Sequence, residues 1–263
     1  MRFSRGVAMI VALIFTGMIG LLVLQIGLFS RGHVSKTQLL MDRASALVAM
    51  HDCESETLFV LLTESWSDIN FQGATRTCPG ALARVQDING LMPLPQPGSR
   101  TDEFVALLRG VGISESAVSG VTAQIERAVR TDDRLPLQSL MQLHALSNAD
   151  IDLLHPLTTV HPISGFNPLT APDAVLGAMH SGAIREALLQ ARRRGELDRD
   201  FYLRVTQATV DDLFSFSVGP SVLIQLSAQV GESQVAKIVS VTIQPRDGQP
   251  VLVLETRHSA PAL

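Results

Sequence analysis

Residues Val7 to Phe29 read VAMIVALIFTGMIGLLVLQIGLF, an unbroken run without a charged side chain. As a helix it is about 35 Å long at 1.5 Å per residue, enough to cross a bilayer. The expectation is a membrane-spanning helix over 7–30. Only Thr16 and Gln25 are polar within the run. A threonine hydroxyl bonds back to its own helix, and Gln25 stands near one end. Arg2 and Arg5 precede the run and Arg31 and Lys36 follow it, a balance that the short basic leader tips toward a cytoplasmic N-terminus. Two other readings compete: a cleaved secretory signal and a buried core helix. A signal has an apolar core of roughly 7–15 residues and a small-x-small cleavage site. This run is longer and no A-x-A follows it.

The helical pattern continues past the run. Apolar residues recur at Leu40, Ala44, Leu47, Val48, Leu58 and Leu62, the i, i+3, i+4, i+7 spacing of an amphipathic helix. No proline occurs before Pro79, and Gly32 is the one weak point. A helix of about 60 residues, near 90 Å, is therefore expected. Its second half, 31–66, has to bury an apolar stripe against a globular head.

The whole chain has 263 residues and a net charge of −4, with 17% charged residues. That length supports real cores. No basic excess steers it to a polyanion, so nucleic acid is not an expected partner. A glycine-linked helix pair near Gly110-Val111-Gly112-Ile113 is the shape of a phosphate-binding hairpin, but it lacks the cationic surface that such binding needs.

The two cysteines, Cys53 and Cys78, exclude a disulfide-rich scaffold and a four-cysteine zinc site. Cys53 falls on the amphipathic helix and Cys78 in the loop after it. On the oxidising side of a membrane they can form a disulfide closing a loop of about 25 residues. Otherwise they are two buried thiols.

The segment Phe71–Arg100 is rich in Gly and Pro, with a short strand expected over Ala81–Asp87 and a turn at Asn89-Gly90. Helices are expected from Thr101 to Gly110, from Ser114 to Arg130, over Pro136–Leu146 and from Asn148 to His155. Two more follow, one opened by Thr170 and Pro172 and one running from Ala183 to Gly195. Arg192-Arg193-Arg194 then sits in a last helical turn, where positive charge suits the dipole. From Phe201 the period changes to two. Strands are expected over Phe214–Val218, Leu223–Val230, Val235–Ile243 and Val251–Thr256, with loops at Gly231-Glu232-Ser233 and Arg246–Gln249.

No catalytic constellation emerges. None of the seven histidines stands in a metal-ligand spacing, and the nucleophile elbow and the phosphate-binding glycine motifs are absent. Asp132-Asp133 and Asp211-Asp212 are paired acids at element starts, where solvent-facing caps account for them. Asp132 and Asp133 are also the candidates for a surface calcium site, which requires six to eight oxygen ligands. Asp198 and Asp200 are similarly ambiguous.

The leader RFSRG followed by VAMIVALIFTGMIGLLVL resembles the type IV prepilin and pseudopilin class, and most closely the K-type minor pseudopilins of type II secretion systems. Asp87-Ile88-Asn89-Gly90-Leu91-Met92-Pro93-Leu94 resembles the family's D-x-x-G segment. Leu137–Leu143 resembles its S-(V/L)-x-E-L helix, and Phe166-Asn167-Pro168-Leu169-Thr170-Ala171-Pro172 its N-x-N-T-A-P motif. Ile125–Asp133 stands where the family has a longer acidic run. The position that carries glutamate in most pseudopilins is Val11 here, as in the K type.

The resemblance implies an α+β fold: a pilin-like long N-terminal helix packed on an antiparallel sheet, with an inserted all-helical domain. It implies a leader over 1–6, cut by a prepilin peptidase between Gly6 and Val7, with Val7 then methylated. The core's first part would take 67–100, the helical insert 101–200 and the closing strands 201–263. The implied role is non-enzymatic. The protein would cap the pseudopilus tip and support protein export, with I- and J-type minor pseudopilins as partners and contacts to secreted substrates. It would be a single-pass protein among inner-membrane lipids with a periplasmic head, and without a cofactor other than the calcium considered above. A minor pilin of another type IV filament, or a single-pass periplasmic enzyme, are the alternatives.

Overall fold

The computed structural model describes residues 4–66, 69–95, 101–130, 139–161, 163, 165–208, 214–243 and 250–259. Helix α1 runs from Ser4 to Thr63 and passes Gly32 without a break, which makes it about 90 Å long. Its C-terminal part buries Ala46, Met50, Cys53, Thr57 and Leu61, spaced three or four residues apart on one face. The Trp66 indole closes the helix end by donating to the Leu61 carbonyl at 2.8 Å and packing on Phe71.

That face lies on a five-stranded antiparallel sheet in the order β1-β2-β5-β6-β7, over Gln72–Cys78, Ala81–Asp87, Ser221–Val230, Ser233–Ile243 and Val251–Ser259. Ala81, Ala83 and Val85 alternate toward α1 with Val222, Ile224, Leu226, Ala228 and Val239. Period-two alternation is what puts them on one face. A charged tie joins the same face, where Lys237 Nζ donates to both Glu54 oxygens at 2.9 and 2.6 Å. The β5–β6 hairpin turns at Gly231, whose φ of +57° suits glycine. A Cβ there would come within 2.2 Å of the Asp42 carboxylate of α1.

Between β2 and β5 the chain inserts a helical body: α2 (Thr101–Gly110), α3 (Glu115–Arg130), α4 (Asn148–Leu154), α5 (Asp173–Met179), α6 (Gly182–Arg193) and α7 (Arg199–Thr206). Phe104, Leu107, Leu108, Val121, Leu154, Leu176, Leu188 and Tyr202 form a core distinct from the one under α1. Two-residue strands β3 (Met92–Pro93) and β4 (Thr158–Thr159) pair in parallel at the entrance to this body. The long helix on an antiparallel sheet with a helical insert is the pilin-like α+β architecture.

Several expectations are corrected. Among the described residues no helix is long and apolar enough to cross a membrane. This overturns the membrane-spanning helix over 7–30, and with it the single-pass inner-membrane location with a periplasmic head. In the expected helix over Pro136–Leu146, the described part holds only a 3-10 turn at Leu140–Gln142 opened by Ser139. Phe201 does not begin a strand region, because α7 runs through it. Phe214 makes an isolated bridge to Phe166 instead of entering a strand. The turn at Arg246–Gln249 and the pair Asp211-Asp212 lie outside the described residues.

Candidate functional site

Two of the segments that carry the family resemblance, 87–94 and 166–172, meet in space. Asp87, at the end of β2 and fully buried, accepts four hydrogen bonds. Its Oδ1 takes the Asn89 and Gly219 amides at 3.0 and 3.3 Å. Its Oδ2 takes Asn167 Nδ2 at 2.9 Å and the Thr170 hydroxyl at 2.8 Å. Gln86 adds a bond to the Thr170 carbonyl, and the Asn167 amide donates to the Asn89 carbonyl. Burial pushes the Asp87 carboxyl above its ordinary range, and the hydrogen bonds from Thr170, Asn89, Asn167 and Gly219 oppose that.

Two glycines let the backbones close on this hub. A Cβ on Gly90 would lie 2.8 Å from the Ala171 amide nitrogen, and one on Gly219 would lie 2.5 Å from Asn89 Nδ2. Arg192 of α6 secures the same loop from outside by donating to the Pro168 and Ala171 carbonyls and pairing with Asp173 at 2.9 Å. It therefore does more than sit in the dipole of its own helix. Thr170, expected to cap α5, spends its hydroxyl on Asp87, and Pro172 takes the cap position.

A second polar seam joins the insert to β7. His155, at the C-terminal end of α4, and His161, two residues after β4, face Glu255 and Arg257. Arg257 Nη1 lies 3.0 Å from His155 Nδ1, and Arg257 Nε donates to Glu255. His161 Nε2 is 3.8 Å from Glu255 Oε2 and is buried without a hydrogen-bond partner. Burial lowers the pKa of both imidazoles.

The third feature is the free part of α1. Leu13, Ile14, Phe15, Met18, Ile19, Leu21, Leu22, Val23 and Leu24 are all more than half exposed, and Val34, Leu40, Met41 and Val48 extend the apolar surface toward the head. An exposed apolar surface of this size marks an interaction site.

Cys53 and Cys78 form a disulfide between α1 and β1, with a Cα–Cα distance of 5.6 Å. Gly6 and Val7 lie in the first turns of α1, their surroundings outside the described residues, as are Asp132 and Asp133 altogether. Asp198 caps α7 by accepting from the Phe201 amide at 2.7 Å. Among the described residues no group of three or more His, Cys, Asp or Glu is arranged to hold a metal ion.

Sequence reasoning missed the Asp87 hub and the His155–Arg257 seam. The partners of Asp87 lie as far as 132 positions away, and the only sequence trace of them was the pair of family-like segments.

No family model and no curated protein matches this chain. Among solved structures it is distantly similar to a chain of the GspK-GspI-GspJ complex from the type 2 secretion system of enterotoxigenic Escherichia coli. That match has 15% identity and a TM-score of 0.47, and covers 88% of this chain and 99% of the other.

Proposed function

We propose that this chain is a minor pseudopilin that caps the tip of a type II secretion pseudopilus, supporting its assembly and protein export. The observation that carries this reading is α1. Its C-terminal part is locked into the head by the sheet, the Glu54–Lys237 pair and the disulfide. Its N-terminal part exposes large apolar side chains from Leu13 to Leu24 among the described residues. Exposing that many large apolar side chains is unfavourable at about 25 cal/mol per Å², so this surface is built to be covered by other subunits. The helical insert enlarges the head, as suits a terminal subunit above which nothing is added.

The partners on this reading are I- and J-type minor pseudopilins, which pack their own helices along α1. A prepilin peptidase cuts between Gly6 and Val7, and Val7 is then methylated. The role is architectural. Intact-mass measurement of the mature protein from its native host tests the assignment. Loss of the first six residues with gain of one methyl group is expected. An intact Met1, or a cut near residue 30, would count against it.

A further inference from the structure

Arginine has five N–H donors and no acceptor, and it stays charged at every accessible pH. Arg257 Nη1 lies 3.0 Å from Nδ1 and 3.5 Å from Nε2 of His155, so the contact favours a neutral imidazole with a ring nitrogen free to accept. The same guanidinium donates to Glu255 through Nε. On the far side of Glu255, His161 Nε2 stands 3.8 Å from the carboxylate. That is too long for a hydrogen bond, but close enough for strong attraction once the ring is charged. One histidine thus lends Arg257 an acceptor, and the other stands ready to take its carboxylate.

We propose that this seam is an acid-sensitive latch. Proton uptake at His155 turns its acceptor into a donor and sets two cations against each other. Proton uptake at His161 draws Glu255 away. Arg257 then loses both partners, and the helical insert releases the edge strand β7.

The surrounding charges agree with this direction. His155 faces Asp152 on its own helix and Glu255 and Arg257 on β7, and it shares a groove with Arg84 of β2 and Lys237 of β6. Lys237 is engaged by Glu54 on the opposite face of the sheet. For His155, burial and then Arg257 favour the neutral ring, against Asp152 and Glu255. For His161, burial leads, Glu255 opposes it and Arg257 adds to it. Both folded-state values lie below the ordinary 6.5. The latch therefore holds fully above that pH and is lost as pH falls through the folded values.

β7 is suited to respond. It is the sheet edge, held on one side only by β6, with a register irregularity between Ser240 and Val241.

Amide hydrogen exchange of the full chain at about pH 7.5 and about pH 5, corrected for intrinsic rates, tests the proposal. The wild type should show the opening equilibrium of β7 increased by about tenfold at the lower pH relative to β2. The double variant His155→Gln, His161→Gln, whose amide oxygens can accept without a proton to gain, should hold the change within about twofold. No acid response in the wild type, or an equal response in the variant, would overturn the latch. Nitrogen chemical shifts of the His155 ring in the wild type give a check that needs no variant. A neutral ring at neutral pH that takes up a proton in acid supports the latch, and a ring already charged at neutral pH refutes it.

Discussion

Replacing Asp87 by alanine removes the acceptor of four donors in a fully buried place. They do not suffer equally. Asn167 Nδ2 keeps the Ser217 carbonyl at 3.1 Å, and the Thr170 hydroxyl has the Asn167 carbonyl at 3.4 Å. The Asn89 and Gly219 amides both lose the carboxylate oxygen they bond. An orphaned buried donor costs about 1–3 kcal/mol, so the two cost about 2–6. Relief of the carboxylate's own burial returns part of that, and about 3 kcal/mol should remain. Asp87→Asn keeps an oxygen for the two amides and presents its NH2 to the Thr170 hydroxyl, which can turn to accept, so about 1 kcal/mol is expected. Urea midpoints of the disulfide-intact proteins read both values. A loss below about 1 kcal/mol for the alanine variant would mean that the hub does not hold the insert to the sheet. The pH dependence has a fixed sign. Because the folded value is raised, the favourable contribution of Asp87 is complete below its unfolded pKa of 3.8 and is lost as pH rises through the folded value. The wild type should therefore gain on Asp87→Asn as the solution is acidified.

Other perturbations follow from the same contacts. Gly90→Ala drives a methyl group to 2.8 Å from backbone atoms of Thr170 and Ala171 and should cost about 1–3 kcal/mol in thermal or urea unfolding. Reducing the Cys53–Cys78 disulfide, which spans 25 residues, should lower stability by about 2–4 kcal/mol, read as a drop in melting temperature in reductant. Arg192→Ala strips two carbonyls of the 168–171 loop of their donor. A loss of about 2 kcal/mol, smaller when combined with Asp87→Ala than the two losses added, would show that clamp and hub act on one loop.

The long helix was legible because no proline stands in the first 78 residues, but its inner face was not: Leu40, Ala44, Leu47, Val48 and Leu62 of the expected stripe are exposed, and Ala46, Met50, Cys53, Thr57 and Leu61 face the sheet instead. The three C-terminal strands were legible from alternation in LIQLSAQV, VAKIVSVTI and VLVLET. β1 was not: QGATRTC carries a glycine and little apolar content, and it forms only because β2 offers an edge beside it. α7 was misread because Phe201, Tyr202 and Val205 favour strands by composition. Its helix is set instead by the Asp198 cap and by Tyr202 packing among His180, Phe214 and Phe216. The apolar run was read by length alone as a membrane span, and the described structure does not support that. The hub was illegible because hydrogen bonds between positions 87, 167, 170 and 219 leave no local period. The two family-like segments marked its location without revealing that they touch.

Site-specific photo-crosslinking tests the central claim most directly. A crosslinker is placed at Leu40 or Val48 on the exposed face of α1 and, as a control, at Arg194, exposed at the end of α6 in the helical insert. The full chain is co-expressed with I- and J-type minor pseudopilins. The account predicts adducts with those subunits from the α1 positions and little from the control. Equal labelling from all three positions, or none from α1, would contradict it.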